Sequence, residues 1–348
     1  MSRVFSRRGE TEGYVKPRQR SSRQPYFPTE PIIRQTPGRL GAWKNFEFLI
    51  NEESCDACDA WVVLEGLTRT ERARVRTGVA VLFAMEPPDA KTYRAGFLSQ
   101  LDLVVTSHVG LKHSNIRTDF QGLPWHIGLD RGLRGDAEHG FKCVLDYDAL
   151  CDMAPVAKSK LISTICSDAK SLPGHKLRHQ FLRRLVQHFG HQIHVFGRVV
   201  RPVADKFEAL APYQYHIVLE NSFVRDYWTE KLADCFLAFC YPIYWGCPNI
   251  DSYFPADSLV RIDISEPTRA FDAISALFAN GLTARQRSAM LEARQLVLNR
   301  FDTFEVIHIV CSSIEARKER TIVIQPEKSF GGSAVRRVAR GIKARFLS

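Results

Sequence analysis

The chain has 348 residues, of which 45% are hydrophobic and 25% charged, a composition typical of a soluble globular protein with one large domain or two ordinary ones. It contains no apolar run of about 18 residues, so no transmembrane helix is expected, and its arginine-rich start lacks the apolar segment of a secretory signal. The net charge of +10 lies at the ends, since residues 1–40 carry +6 and residues 333–348 carry +5, which leaves a core of −1. A folded nucleic-acid binder would have a basic core, so this pattern argues against nucleic acid as a partner.

The first part of the chain predicts an arm followed by an α/β unit. Residues 1–40 are rich in Arg, Ser, Pro and Gln without periodicity, which predicts a disordered basic N-terminal arm. An α/β lobe is predicted over 41–155. Its elements are expected to be strands at 46–51, 61–64, 79–83 and 101–106 and a helix over 68–76. This alternation of strands and helices is typical of a doubly wound sheet.

A second α/β lobe is predicted over 156–324. Its elements are expected to be strands at 161–166, 194–196, 216–219, 242–245 and 260–264 and helices at 175–189, 267–280 and 283–298. A further helix begins after Thr229, the predicted N-cap, because Leu232, Cys235 and Phe236 follow it at helical spacing. Two such units predict an α/β fold of two Rossmann-like lobes with a cleft between them.

The end of the chain, 325–348, is predicted to be a linker and a basic amphipathic tail. A helix over 335–347 would carry Val338 and Ile342 on one face and Arg337 and Arg340 on the other. This tail is either solvated or makes peripheral contact with an anionic membrane. Nine cysteines without a framework spacing indicate reduced thiols. We therefore expect a cytoplasmic location, with peripheral attachment to the inner face of the membrane as the second interpretation.

The most informative segment is the one that follows the predicted strand at 216–219. Glu220, Asn221 and Ser222 end that strand with polar groups, and Thr229 then opens a helix. A strand that leads through a polar loop to a helix N-terminus is a common phosphate site, because free backbone N–H groups and the helix dipole face the ligand. Lys231 adds a full positive charge in the first turn of the helix. The segment therefore predicts binding of a phosphorylated ligand.

The same residues carry a family resemblance. The sequences 220–222 (ENS), 225–227 (RDY), 229–231 (TEK) and 242–246 (PIYWG) closely resemble the donor-sugar motif of glycosyltransferase family 10, the α1,3/4-fucosyltransferases. Without a membrane anchor in its sequence, the chain is most similar to the soluble bacterial members. The resemblance implies the two-lobed GT-B fold, with a GDP-sugar donor bound in the second lobe. It is strong over 205–265 and thin over 46–128.

The resemblance also implies an activity. It implies an inverting fucosyltransferase that transfers fucose from GDP-fucose to a hydroxyl of a glycan acceptor in an α1,3 or α1,4 linkage. No cofactor would be required, although Mn²⁺ or Mg²⁺ could stimulate the reaction. Two alternatives stay open: a glycosyltransferase that uses another GDP-sugar, or a non-catalytic basic adaptor for membrane or nucleic acid. The first lobe would select the acceptor, which its sequence does not identify.

Glu86 is the predicted general base of such a transfer. It follows the predicted strand at 79–83, and a carboxylate at the carboxyl end of a strand faces the ligand crevice of an open α/β sheet. Family members carry Glu-Ser-Pro at this place and assign the base role to its glutamate. Pro87 replaces the serine here. The alternative is a surface glutamate in a proline-rich turn.

The remaining site residues come mainly from the family motif. Lys231 and Arg178 are expected to bind the diphosphate of the leaving group, although basic residues at 176–184 could equally be a solvated helix face. By resemblance, Glu230 lies at the donor sugar, where its charge can stabilise an oxocarbenium-like state. Asn221 and Tyr227 would hold the nucleotide. Glu220 would orient the loop.

Two motifs are typical of metal sites, but a connector between the lobes explains the first better and the start of a buried strand explains the second. Asp146 and Asp148 follow a predicted strand at 143–145 in an Asp-x-Asp pattern, which some glycosyltransferases use to hold a divalent metal. Cys55 and Cys58 form a lone CxxC without further ligands at a suitable spacing. The expected site contains no metal. His108, His113 and His126 lie in the loop-rich part of the first lobe, where they would either contact the acceptor or have structural roles.

Overall fold

The structure, a computed structural model, describes residues 2–8, 29–51, 57–133, 142–167, 169 and 172–331. The chain forms two compact units. Unit 1 comprises Met1–Glu86, Lys91–Gly122 and Thr303–Val335, and unit 2 comprises Pro87–Ala90, Leu123–Asp302 and Arg336–Ser348. The chain therefore returns to unit 1 after residue 302, a return of which the sequence alone offered no sign.

The strands and helices, in chain order, are β1 (Ser2–Arg8), α1 (Thr29–Ile33), β2 (Ala42–Trp43), β3 (Phe46–Ile50), β4 (Ala60–Leu64), β5 (Glu71–Val75), β6 (Ala80–Ala84), α2 (Ala95–Leu98), β7 (Leu103–Thr106), β8 (Ile116–Thr118), β9 (Leu129–Asp130), β10 (Lys142–Cys143), α3 (Tyr147–Asp152), β11 (Lys160–Ile165), α4 (Pro173–Phe189), β12 (Ile193–Phe196), β13 (Tyr213–Leu219), α5 (Glu230–Leu237), β14 (Tyr241–Trp245), β15 (Val260–Arg261), α6 (Pro267–Asn280), α7 (Ala284–Asn299), α8 (Thr303–Ser312) and β16 (Arg320–Ile324). Short 3₁₀ turns connect several of them, including Lys206–Ala209.

Unit 1 is built on a seven-stranded sheet in the order β2-β3-β1-β4-β6-β7-β8. Strands β4, β6, β7 and β8 run parallel, whereas β2, β3 and β1 pair antiparallel. Every residue of β4 and β6 is buried, as expected for central parallel strands with both faces covered. The carboxyl ends of these two strands lie at the same edge of the sheet and lead directly to Glu65 and Glu86.

The helix predicted over 68–76 is wrong, because residues Glu71–Val75 form strand β5. The burial of β5 alternates, with Glu71, Ala73 and Val75 buried and the two arginines between them exposed. This period of two is the pattern of a half-buried strand. β5 pairs antiparallel with β16, which lies some 250 residues further along the chain, so no local sequence signal announced the pairing.

Unit 2 is built on a five-stranded sheet in the order β12-β11-β13-β14-β15, in which every pair is parallel. Strands β13 and β14 are almost wholly buried, which explains their continuous apolar sequences. The order reverses between β11 and β13. In open parallel sheets a ligand binds outside the carboxyl ends of the strands at such a switch point. The fold of unit 2 alone therefore places a binding site near residues 165 and 220.

The α/β class predicted from the sequence is confirmed, with a mixed sheet in unit 1 and a parallel sheet in unit 2. The predicted strands β3, β4, β6, β7, β11, β12, β13 and β14 and helices α4, α6 and α7 are all present within a few residues of their expected bounds. The cleft expected between the two lobes stays a prediction.

The structure describes part of the predicted N-terminal arm but not the predicted C-terminal tail. Within residues 1–40, predicted to be a disordered arm, the structure contains β1 and α1, and β1 pairs with both β3 and β4. Residues Ser2–Arg8 therefore pair with two strands, while the disordered arm predicted over 1–40 stays a prediction. The basic tail predicted at 335–347 lies outside the described residues. Among the described helices, none is long and apolar enough to cross a membrane.

Candidate active site

The candidate site lies at the carboxyl edge of the unit 2 sheet, where β13 ends at Leu219 and α5 begins at Glu230. Thr229 is the N-cap of α5, as predicted. Its hydroxyl oxygen accepts a hydrogen bond from the Lys231 N–H at 3.3 Å. This cap fixes the start of the helix next to the end of the strand, so the free N–H groups of the first turn lie beside the polar loop.

Glu220 joins the strand end to the helix cap. Its side chain is fully buried, with Oε1 accepting from the Thr229 N–H at 2.8 Å and Oε2 accepting from the Thr229 hydroxyl at 2.8 Å. The Lys231 ammonium lies 3.6 Å from Oε2. Burial raises the pKa of Glu220, although Lys231 and the hydrogen bonds from Thr229 oppose that rise. The geometry thus gives Glu220 the orienting role that the sequence predicted and leaves it little contact with a ligand.

Close packing explains why the 242–246 motif ends in a glycine, Gly246. A Cβ at this position would collide with the Glu220 side chain and lie 2.5 Å from the Tyr244 hydroxyl oxygen. Only glycine lets β14 end this close to the buried carboxylate.

Arg178 and Asn221 lie in contact with each other. Arg178 is 3% exposed, and its Nη1 donates to the Asn221 Oδ1 at 2.7 Å and to the Leu219 carbonyl at 3.1 Å. Gly174, in the first turn of α4, lies so close to the Asn221 carbonyl that a side chain would collide with it. The N-terminus of α4 and a buried guanidinium are therefore both held against the loop at 220–222, on the β11/β13 switch point.

Tyr227 is 3% exposed and lies in the loop between β13 and α5. Hydrogen bonds of the neighbouring Asp226 hold this part of the loop. Asp226 has a left-handed backbone with φ of 60°, and its Oδ1 accepts from the Asn249 amide at 2.6 Å and from the Tyr253 hydroxyl at 2.7 Å. These bonds account for the aspartate of the 225–227 motif. The next residue, Trp228, is 1% exposed and packs edge-on against Phe254, with ring centroids 5.0 Å apart.

Glu230 lies between two lysines. Its Oε1 is 3.3 Å from the Lys231 ammonium and 3.3 Å from the Lys206 ammonium. Burial alone would raise the pKa of Glu230, but these two cations hold it well below its ordinary value. Glu230 is therefore an ionised carboxylate at neutral pH.

Lys206, Asp234 and His126 complete this cluster, and the sequence did not identify the first two. Asp234 is 1% exposed and accepts from the Lys206 ammonium at 3.1 Å through Oδ2 and from the His126 N–H at 2.6 Å through Oδ1. The one available signal was an aspartate among the apolar residues of α5. His126, expected beside the acceptor in the first lobe, instead belongs to unit 2, with Nδ1 3.8 Å from the Glu230 Oε1.

Glu86 lies in unit 1, two residues after β6, which is the strand-end position that the sequence predicted. The buried carboxylate of Glu65, after β4, accepts from the backbone N–H groups of Met85 at 2.7 Å and Glu86 at 3.1 Å. The carbonyl of Glu86 accepts from the His108 Nε2 at 2.8 Å. Sequence reasoning missed Glu65, although it follows a buried apolar strand in the same way as Glu86 does.

The alternative metal motifs have structural explanations where they are described. Asp146 is the N-cap of α3 and accepts from the Ala149 N–H at 2.9 Å. Cys58 is buried and its thiol donates to the Arg74 carbonyl at 3.7 Å, and Cys55 lies outside the described residues. Across the described ranges no group of three or more His, Cys, Asp or Glu side chains is arranged to hold a metal ion.

Comparison with known proteins bears directly on this segment. Residues 155–280 match the family model for the C-terminal part of glycosyltransferase family 10 (fucosyltransferase). The resemblance to family 10 is confirmed. The matched range contains Arg178 and the whole of the 220–231 loop and helix start, so the family 10 segment and the β11/β13 switch point coincide.

Individual relatives match parts of the chain. A fucosyltransferase-like protein of Arabidopsis thaliana is 27% identical over 146 residues, which is 41% of this chain and 28% of that protein. An alpha-(1,3)-fucosyltransferase of Helicobacter pylori is 34% identical over 76 residues, 22% of this chain and 16% of that protein. The chain thus spans less than a third of each relative. A crystal structure of an alpha1,3-fucosyltransferase with GDP aligns over 69% of each chain, with 18% identity and a TM-score of 0.42.

Proposed function

We propose that this protein is a fucosyltransferase that transfers fucose from GDP-fucose to a hydroxyl of a glycan acceptor with inversion, and that it needs no metal. The observation that carries the proposal is the coincidence of the family 10 match with the switch point of the unit 2 sheet, where α5 begins at a capped, lysine-bearing turn. Fold physics and family resemblance thus identify the same residues independently.

Within this proposal the diphosphate binds at the loop 220–222. Arg178 is buried against that loop, Lys231 lies in the first turn of α5, and the N-terminus of α4 faces the same place. Two cations and two helix dipoles stabilise the charge that develops on GDP as the glycosidic bond breaks. No divalent ion is required for this charge balance.

Glu230 and Glu86 have separate roles in the proposed reaction. The ionised Glu230 carboxylate stabilises the oxocarbenium character of the departing fucose. Glu86, assigned from its strand-end position and the family motif, takes the proton from the acceptor hydroxyl. The fixed backbone of Glu86 supports this role, since Glu65 and His108 hold the turn on both sides of it.

Calorimetric titration with GDP-fucose, GDP-mannose, GDP and UDP in the presence of EDTA tests the donor. Lys231→Met should weaken GDP binding at least about tenfold, because it removes a charged phosphate contact. Lys142 is an exposed lysine of β10, and Lys142→Met is the matched control that should leave GDP binding unchanged. A preference for GDP-mannose would select the other GDP-sugar. If the wild-type protein binds no nucleotide, the adaptor alternative replaces the enzyme.

Transfer to a glycan acceptor tests the chemistry. Glu86→Gln should lower the rate of transfer about 100-fold or more while GDP affinity stays within about threefold, because a general base acts on the acceptor rather than on the nucleotide. Loss of GDP binding in this variant, or full retention of transfer, would contradict the assignment of Glu86.

A further inference from the structure

The Lys206 ammonium bridges two carboxylates of one helix. It lies 3.3 Å from the Glu230 Oε1 and 3.1 Å from the Asp234 Oδ2. Glu230 and Asp234 are four residues apart on α5, a spacing at which like charges face and repel each other. A cation between them removes this repulsion, and it comes from a separate segment, the 3₁₀ turn Lys206–Ala209.

Asp234 is fixed on its other side. Its Oδ1 accepts from the backbone N–H groups of His126 at 2.6 Å and Ile127 at 3.0 Å. Asp205, which precedes Lys206, accepts from the Gly128 N–H at 3.0 Å and caps its own turn through the Phe207 N–H at 2.9 Å. The ammonium is therefore held at a set position by ordered backbone, and from there it reaches Glu230.

The imidazole of His126 belongs to the same cluster. The Lys206 ammonium donates to its Nδ1 at 3.4 Å, which places the ring hydrogen on Nε2. Burial, followed by the charge of Lys206, holds the pKa of His126 well below its ordinary value. The ring is therefore neutral at physiological pH and adds no positive charge beside Glu230.

The two lysines beside Glu230 are not equivalent. Lys231 also donates to the Thr229 hydroxyl at 3.1 Å and lies 3.6 Å from Glu220, so it is shared with the helix cap and, in the proposed function, with the diphosphate. Lys206 has no such contact to the cap among the described residues, since its ammonium contacts the carboxylates of Glu230 and Asp234 and the His126 ring. A bound diphosphate would compete for Lys231, so Glu230 would rely more on Lys206, whose ammonium lies 3.3 Å from its Oε1.

We infer that Lys206 is a positioning residue that holds the Glu230 carboxylate in place and supplies its second counter-charge when the donor occupies Lys231. The inference rests on the proposed function, because it assigns Lys206 a task toward the carboxylate at the donor sugar. Charged and titratable groups from four elements face Glu230. They are Lys231 and Asp234 on α5, Lys206 on the 3₁₀ turn, His126 just before β9, Arg131 just after β9, and Glu220 at the end of β13.

Three variants separate charge from packing. Lys206→Met keeps much of the side-chain volume without the charge, Lys206→Arg keeps the charge, and Lys158→Met is the control. Lys158 is a lysine of the same unit that donates to the carbonyls of Ala211 at 2.7 Å and Ala238 at 2.9 Å and belongs to no carboxylate cluster. Circular dichroism first establishes that each variant folds.

The first measurement is the kcat and KM for GDP-fucose from the lowest pH at which the wild-type protein stays folded up to about pH 8. In Lys206→Met, kcat should fall about 10- to 100-fold with little change in GDP affinity, and the acid limb of the kcat profile should move to higher pH, because the pKa of Glu230 rises when this cation is removed. Lys206→Arg should restore most of kcat and the position of the limb. An equal loss in Lys206→Met and Lys206→Arg with an unmoved limb would show a packing role and overturn the inference.

The second measurement does not depend on activity. In protein labelled with ¹³C at the glutamate carboxyl carbons, Glu230→Gln identifies the Glu230 resonance, whose titration is then followed in wild type and Lys206→Met. An upward movement of the Glu230 pKa in Lys206→Met, absent in Lys158→Met, supports the inference. No movement overturns it. If the pKa of Glu230 moves upward in Lys206→Met but the wild-type protein does not bind GDP-fucose, the proposed donor is refuted and the Lys206–Glu230 coupling is still established.

Discussion

The carboxylate of Glu65 holds the backbone of Glu86, whose N–H donates to the Glu65 Oε2 at 3.1 Å. The same oxygen accepts from the Met85 N–H at 2.7 Å, while Oε1 lies 2.6 Å from the Lys91 ammonium. The Tyr93 hydroxyl lies 2.9 Å from Oε2, and burial together with Glu65 raises the pKa of that phenol well above its ordinary value. One buried side chain thus fixes the turn between β6 and the proposed general base.

Replacing Glu65 should therefore affect the reaction through Glu86. In Glu65→Gln the amide can still accept from the two backbone N–H groups, but the half-buried Lys91 loses the nearer of its two counter-charges and keeps Glu327 at 3.4 Å, so we expect a loss of about 1–2 kcal/mol in the free energy of unfolding. We also expect kcat to fall about tenfold while GDP affinity stays unchanged. Urea unfolding and steady-state kinetics measure both. Glu47→Gln on β3, whose side chain is exposed, is the control; a variant of Glu65 with wild-type kcat would show that the turn does not depend on it.

Helix α4 lies close to the loop 220–222, and this contact should make an alanine at Gly174 destabilising. A glycine replaced by alanine within a helix normally stabilises it by up to about 1 kcal/mol. At Gly174 the new Cβ would collide with the Asn221 carbonyl, so Gly174→Ala should instead destabilise the protein by about 1–3 kcal/mol and weaken GDP binding. Gly66→Ala, where a Cβ meets no atom within 4 Å, is the control for thermal unfolding. A stabilised Gly174→Ala would mean that α4 and the loop lie further apart.

Two variants of the buried Glu220 distinguish the effect of losing its charge from the effect of losing its hydrogen bonds. Glu220→Gln keeps an acceptor for the Thr229 N–H and removes the cost of burying a charge, so we expect a change in stability of less than about 1 kcal/mol. Glu220→Ala leaves both the N–H and the hydroxyl of Thr229 without this partner and should cost about 2–4 kcal/mol. Chemical denaturation of the two variants side by side provides the measurement. Equal losses in both would show that the charge of Glu220, rather than its hydrogen bonds, supports the helix start.

The elements around the site could be predicted because their signals are local. β13 and β14 are continuous apolar strands, and the start of α5 follows from Thr229 and the apolar positions after it. Polar clusters are different. Lys206 reaches Glu230 across 24 residues and His126 across 80, and no local pattern specifies such a pairing. The same limit explains β5, whose sequence permits a helix until β16 supplies a partner strand. Glu65 was accessible to sequence reasoning, because the strand-end argument that selected Glu86 applies to it equally.

His216, a buried histidine of β13, makes the stability of unit 2 depend on pH. Its Nδ1 lies 2.7 Å from the Ser163 hydroxyl oxygen, which itself donates to the Ala209 carbonyl at 2.6 Å, so Nδ1 carries the ring hydrogen and donates to Ser163. Burial, with a contribution from the charge of Lys206, lowers the pKa of His216 to about 3. The folded state therefore keeps this ring neutral far below the pH at which the unfolded chain protonates it.

The sign of the effect follows from this difference. Below about pH 6.5 the unfolded state binds a proton that folded His216 does not accept, so stability is full above that pH and falls by up to about 1.4 kcal/mol per pH unit as the pH decreases toward 3. Urea unfolding at pH 7 and pH 5 should show a loss of about 2 kcal/mol from this residue. His216→Gln should be less stable at pH 7 but should lose about 2 kcal/mol less than wild type between the two pH values, whereas exposed His191→Gln should behave like wild type. The same pH dependence in wild type and His216→Gln would mean that the folded protein protonates His216 above pH 5.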